Sequence, residues 1–139
     1  MKRTINLKPM PSPRPRFQKV GTYTRAYMDK GYQKWKRDFL NVLLSFGDTP
    51  IKQHQPIHVD ITFYIEPPKS FSKVKKNQEG LYLEVHPVAK KPDIDNLIKS
   101  VLDSLNGSAW HDDGQITDIS SRKRYSDNPR IEILVKPID

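Results

Sequence analysis

The residues best suited to chemistry lie in one stretch, Lys90 to Lys123, which reads KKPDIDNLIKSVLDSLNGSAWHDDGQITDISSRK. Asp93 and Asp95 stand two residues apart where a helix is expected to begin, and Lys99 and Asp103 follow four and eight residues after Asp95. That spacing puts Asp95, Lys99 and Asp103 on one polar stripe of the helix. Asp112 and Asp113 come in the next loop, which can rejoin the helix start only if a neighbouring strand carries it there. Carboxylates drawn together repel one another unless a cation sits among them. Hard divalent cations take oxygen ligands, typically a few carboxylates with water and substrate phosphate. The chain has no cysteine and no histidine set at zinc spacing, so Mg²⁺, with Mn²⁺ as a substitute, is the chemical fit. A cation held by Asp93, Asp95 and Asp113 could lower the pKa of a water and stabilise the departing 3′ oxygen of a phosphodiester. Lys99, one turn past Asp95, could set its ammonium against the charge developing on the phosphate. The same residues also have a purely structural reading. Asp93 caps the helix, Asp95 complements its dipole, Lys99 pairs with Asp95, and Asp112-Asp113-Gly114 is a turn. Spacing alone leaves both readings open.

The charge around this stretch is uneven. The chain carries 24 Lys and Arg against 16 Asp and Glu, a net +8, which favours a polyanionic partner, most simply nucleic acid. Residues 1–40 hold eleven Lys or Arg and two acids, whereas residues 92–118 hold six Asp and one Lys. An acidic focus inside a basic protein is the layout expected where a metal-loaded carboxylate cluster meets a phosphate backbone. In the proline-rich segment 9–19, Arg14, Arg16 and Lys19 read as a stiff basic loop that contacts phosphates, and Lys90 and Lys91 flank the acids. The lysines at 69, 73, 75 and 76 read as a solvated stretch or a mobile DNA-contacting loop.

The elements that must position these groups can be read from periodicity. Residues 2–8 suggest a short strand. Residues 29–46 suggest a helix with Tyr32, Trp35, Phe39, Leu43 and Phe46 as a core stripe, stopped by Gly47. Residues 57–65 alternate apolar and polar as a half-buried strand, and 81–86 suggest a further short one. Residues 94–105 form a helix whose apolar stripe is Ile94, Leu97, Ile98, Val101, Leu102 and Leu105, opened by Asp93 and closed by Asn106-Gly107. Strands over 116–125 and 130–136 complete the chain. The expectation is an α+β fold over residues 1–139 as one domain, with a mixed sheet of about four to five strands and two principal helices. Trp110 is expected to pack the turn, and His54, His58, His86 and His111 to be ordinary strand or loop residues, although His111 neighbours the aspartate pair. No apolar run reaches the roughly 18 residues of a membrane span, and no apolar stretch follows the basic N-terminus as in a signal peptide. The protein therefore reads as cytoplasmic.

The pattern Lys91-Pro92-Asp93-Ile94-Asp95-Asn96-Leu97-Ile98-Lys99, then Leu102-Asp103-Ser104-Leu105-Asn106-Gly107, then Trp110-His111-Asp112-Asp113-Gly114-Gln115-Ile116 resembles the RusA family of Holliday junction resolvases, many of them encoded by phages and prophages. The proline-arginine loop at 9–16 is similar to the family's N-terminal start. The resemblance implies a homodimeric, Mg²⁺-dependent endonuclease that makes paired symmetric nicks in four-way DNA junctions during recombination and repair. By position it implies essential carboxylates at Asp93, Asp95 and Asp113 and a catalytic lysine at Lys99. Asp112 would be a further ligand or a support for Asp113, and Asn96 and Gln115 would hold the site together. A two-fold enzyme suits a two-fold substrate, since opposed strands need matching sites. Two rival readings are a junction-binding protein without cleavage and a nuclease for other branched DNA such as flaps and forks.

Overall fold

The computed structural model describes residues 1–139. Its centre is β4 (Ile57–Ile65), where alternation buries Ile57, Val59, Ile61 and Phe63 on one face. β6 (Arg130–Pro137) runs antiparallel to β4 and buries Ile131, Ile133 and Val135 on that face, and β1 (Lys2–Ile5) pairs antiparallel with β6 and adds Ile5. β5 (Ile116–Tyr125) lies parallel to β4 on its other side, so the order is β1-β6-β4-β5. β5 and β6 are joined by only four residues, yet they do not pair, because β4 lies between them.

Two helices cover the apolar face. α1 (Lys30–Leu44) is capped by Asp29, whose Oδ2 accepts from the Tyr32 N–H at 3.1 Å, and buries Tyr32, Trp35, Phe39 and Leu43. α4 (Ile94–Leu105) packs beside it through Leu97, Val101 and Leu105. Ser100 and Ser104 are also buried in α4, and their hydroxyls donate back to the carbonyls of Leu97 and Ser100 at 2.7 Å each. The opposite face of the sheet is polar, where Arg122 forks onto both carboxylate oxygens of Asp60 at 2.8 and 3.1 Å.

The α+β architecture with a four-stranded mixed sheet and two principal helices matches the expectation; several details differ. The segment 81–86 is not a strand. Residues 81–83 end α3 (Lys75–Leu83), which follows the single turn α2 (Lys69–Ser72), and 84–86 are irregular; of the lysine stretch, Lys69, Lys75 and Lys76 are helical and Lys73 lies in the turn between the two helices. Only Leu81 of α3 is buried, and Glu84 ends the helix in the left-handed region at φ 57°. A Cβ at Gly80 would collide with the His86 ring that packs against it. Phe46 lies beyond the end of α1, exposed, under the Arg3 guanidinium at 4.7 Å. The basic loop is shorter than expected, because β2 (Arg16–Val20) forms a separate hairpin with β3 (Tyr23–Tyr27). No helix is long and apolar enough to cross a membrane.

Candidate active site

α4 carries the first part of the acidic motif. Asp93 has the extended backbone of an N-cap, but its side chain accepts no capping hydrogen bond. Asp95 Oδ1 accepts only from the neighbouring Asn96 N–H at 2.9 Å. Lys99 lies one turn on and Asp103 one turn further, and all four side chains are exposed. None of the four belongs to an ion pair, although seven ion pairs form elsewhere in the chain. The pairing of Lys99 with Asp95 that a purely structural reading requires is therefore not made, and α4 presents a row of charges without partners.

The basic residues gather at the start of this helix. Ser12 N–H donates to the Asn96 carbonyl at 3.0 Å, which pins the proline-rich loop against the first turn of α4. Arg14 and Arg16 leave from that point, with Arg16 3.5 Å from Asp29, and Lys19 follows in β2. Lys90 and Lys91 lead exposed into Asp93. Lys123, near the end of β5, donates its Nζ at 2.8 Å to both the Lys90 and the Pro92 carbonyls and so clamps the approach to the motif. Its position in a strand concealed this role in the sequence.

Asp113 sits at the other end of α4. Its N–H donates to Asn106 Oδ1 at 3.1 Å, and its Oδ1 accepts from Trp110 Nε1 at 2.6 Å. Trp110 is buried and packs the turn as expected. Burial, more than any other influence, raises the Asp113 carboxyl above its ordinary range; the Asp103 and Asp112 charges push the same way and the Trp110 bond opposes them. Asp103, which spacing placed only on the helix stripe, is thus near enough for its charge to bear on Asp113. Asp112 is engaged locally, accepting from Gly114 N–H at 3.2 Å as the cap of the short 3₁₀ turn Asp113–Gln115, so its structural part is to support the loop.

Gln115 ties that loop down. Its Oε1 accepts from the His111 and Asp112 N–H groups at 3.0 Å each, and its Nε2 donates to the Lys52 and Gln55 carbonyls at 2.8 and 3.0 Å. His111 stays exposed beside an open polar cleft shared with His54 and Thr117. Asn96 has no comparable side-chain bond; its contribution is the carbonyl that holds Ser12.

The geometry differs from the expected convergence in one respect. Asp93 and Asp95 lie at the start of α4, while Asp113 touches its last residues. Eleven residues at 1.5 Å rise separate Asp95 from Asn106, about 17 Å along the axis. No three Asp, Glu or His side chains of one chain stand together as a metal-holding group. In donor type the residues fit a hard divalent cation; in number, a single chain offers two motif carboxylates at one end of α4 and one at the other.

An acidic helix start flanked by cations, with a half-buried carboxylate in a hydrogen-bonded loop, is an arrangement suited to handling phosphate esters. The family model for Endodeoxyribonuclease RusA matches residues 6–136, and the chain belongs to this endodeoxyribonuclease family. It is also 36% identical over 83 residues to the uncharacterized protein YqaN of Bacillus subtilis, a match covering 60% of this chain and 58% of that protein.

Proposed function

We propose that the protein is a divalent-metal-dependent endodeoxyribonuclease that resolves four-way DNA junctions by paired symmetric nicks, as a homodimer, in recombination and repair. One observation carries the reading: Asp93, Asp95 and Lys99 stand exposed and unpaired on α4 where the basic loop and Lys90-Lys91 converge. Cap and ion-pair duties do not account for these side chains. Membership of the RusA family supports DNA cleavage as the chemistry and a branched duplex as the substrate.

Asp93, Asp95 and Asp113 would hold Mg²⁺ or Mn²⁺. When bound, such an ion supplies a water of lowered pKa and positive charge at the leaving oxygen. Lys99 holds its ammonium against the negative charge that develops on the phosphate. Arg14, Arg16, Lys19, Lys90 and Lys91 grip the backbone on either side, so binding is salt-sensitive and reads branch shape more than base identity. Trp110 keeps the Asp113 carboxylate aimed in one direction.

Distance supports a second chain. The outer edge of β5 is unpaired from Ile116 to Arg122, since residues 86–88 cover it only at Lys123–Tyr125. Ile119, at the middle of that edge, is 44% exposed. Two such edges joined antiparallel about Ile119 would set Gln115, which ends the Asp112-Asp113 loop of one chain, opposite Lys123 of the other. Lys123 sits on the residues just before Asp93, and Lys90 and Lys91 there complement the acidic loop. The full carboxylate set then forms across the dimer.

The test is cleavage of a synthetic four-way junction beside linear duplex, in Mg²⁺ and in EDTA. Paired nicks in the junction alone, only with metal, are expected, and Asp95→Asn should bind but not cut. Tight junction binding without a nick in Mg²⁺ or Mn²⁺ would replace the enzyme by a binding module. Preferential cutting of flaps or forks would keep the nuclease and change its substrate.

A further inference from the structure

The β2–β3 hairpin buries almost nothing. Every residue from Arg16 to Tyr27 is exposed except the half-buried Val20. Phe17 is 72% exposed and Tyr23 61%. An isolated two-stranded ribbon is marginal in water, and rings left this open mark a surface that meets something.

The register says what the surface offers. Phe17 pairs with Ala26 and Lys19 with Thr24, whereas Arg16, Gln18 and Val20 pair with Tyr27, Arg25 and Tyr23. Cross-strand partners share a face, so one face presents Phe17 and Lys19 and the other presents Tyr23 and Tyr27 with Arg16 and Arg25. Each face therefore combines an aromatic ring with a cation. Residues 11–28 contain four Arg or Lys and no acid. A two-residue turn closes the tip, with Gly21 at φ +60° in its first central position, the arrangement of a tight hairpin turn. The strands stand about 13 Å from root to tip. The root is fixed beside the acidic helix through Ser12 on Asn96.

A protein partner would favour mixed charge, whereas rings interleaved with cations alone suit stacked bases and phosphates. Stacking surfaces on both sides suit a gap between separated base pairs, which a branch point offers and a continuous duplex does not. We propose that the hairpin is a wedge inserted at the branch point, with Phe17 stacking on one exposed base pair and Tyr23 on the other, while Arg16, Lys19 and Arg25 hold the flanking phosphates. This rests on the reading of the protein as a nuclease for branched DNA.

The test is anisotropy of labelled four-way junction, linear duplex and single strand in EDTA, using the full chain. The variants are Phe17→Ala with Tyr23→Ala, and Phe17→Trp with Tyr23→Trp. The alanine pair should weaken junction binding on the order of tenfold or more, change duplex binding less than about twofold, and leave melting temperature and sedimentation unchanged. The tryptophan pair should restore junction binding. Equal junction binding by wild type and the alanine pair overturns the wedge and leaves the nuclease reading intact. Loss of the dimer in the alanine pair overturns it in favour of a contact between chains. Failure of the wild type to bind any of the three DNAs defeats the reading beneath it.

Discussion

Asp95 and Asp113 lie too far apart in one chain to act together there, and mixing two inactive variants tests this directly. Asp95→Asn and Asp113→Asn each remove one carboxylate, so in the proposed homodimer each variant carries the same lesion at both sites. When Asp113 serves the opposite chain's α4, a mixed dimer collects both lesions in one site and leaves the other intact. Random pairing of equal amounts makes about half of the dimers mixed, each with one intact site of two, so about a quarter of the wild-type sites return. Resolution takes two nicks, and the expected product is a singly nicked junction. The assay is co-expression of the two variants with different tags, isolation of dimers bearing both, and gel analysis of nicking in Mg²⁺. Mixed dimers should nick at about half the wild-type rate per dimer. When Asp113 serves its own chain, both sites of the mixed dimer are damaged and nicking stays absent. Inactive mixed dimers, beside normally nicking dimers of wild type with either variant, would refute the reasoning.

Three further outcomes are expected. Burial raises the Asp113 carboxyl, so its ionised form opposes folding at neutral pH; the proton bound in the folded state stabilises below the ordinary aspartate value of about 3.9 and is lost as pH rises through the raised value. Asp113→Asn, which can still accept from Trp110, should thus melt higher than wild type at neutral pH, with the gain vanishing in acid; equal melting at both pH values would contradict the burial argument. Gly80→Ala should cost about 1–3 kcal/mol in urea unfolding because the added methyl meets the His86 ring, and Gly80→Ala combined with His86→Ala should recover part of it. Arg14→Ala with Arg16→Ala should lower the slope of log binding against log salt by roughly two phosphate contacts, and an unchanged slope would take the proline-rich arm off the DNA.

Much of this molecule could be read from its residues because the signals were local. The alternation from Ile57 to Ile65 and the stripe from Leu97 to Leu105 each encode a buried face in a single element, and both elements occur with the expected bounds. Trp110 in the core and Asp93 at the helix start follow in the same way. What escaped depended on distant partners. Leu81, Leu83 and Val85 alternate as a strand would, but a strand there needs a neighbour for its backbone, and the outer edge of β5 takes only residues 86–88. Ser100 and Ser104 look polar in sequence and are buried, since their hydroxyls are satisfied within α4 itself. The hairpin had no apolar core pattern to announce it. The place of Asp113 at the far end of α4 follows from the contacts of Asn106 and Trp110, which spacing did not encode.

Gln115 bears on how such a site can be moved or copied. Its side-chain amide uses both donors and its acceptor oxygen, and two of those four bonds reach back to residues 52 and 55, some sixty positions earlier. The stretch from Lys90 to Lys123 is therefore not a self-sufficient cassette. Grafted onto another scaffold, it would leave an amide with two idle donors and the aspartate loop without its anchor. Anyone transplanting the motif must bring the turn before β4 with it, and a drifting sequence that loses that turn loses the acidic loop as well.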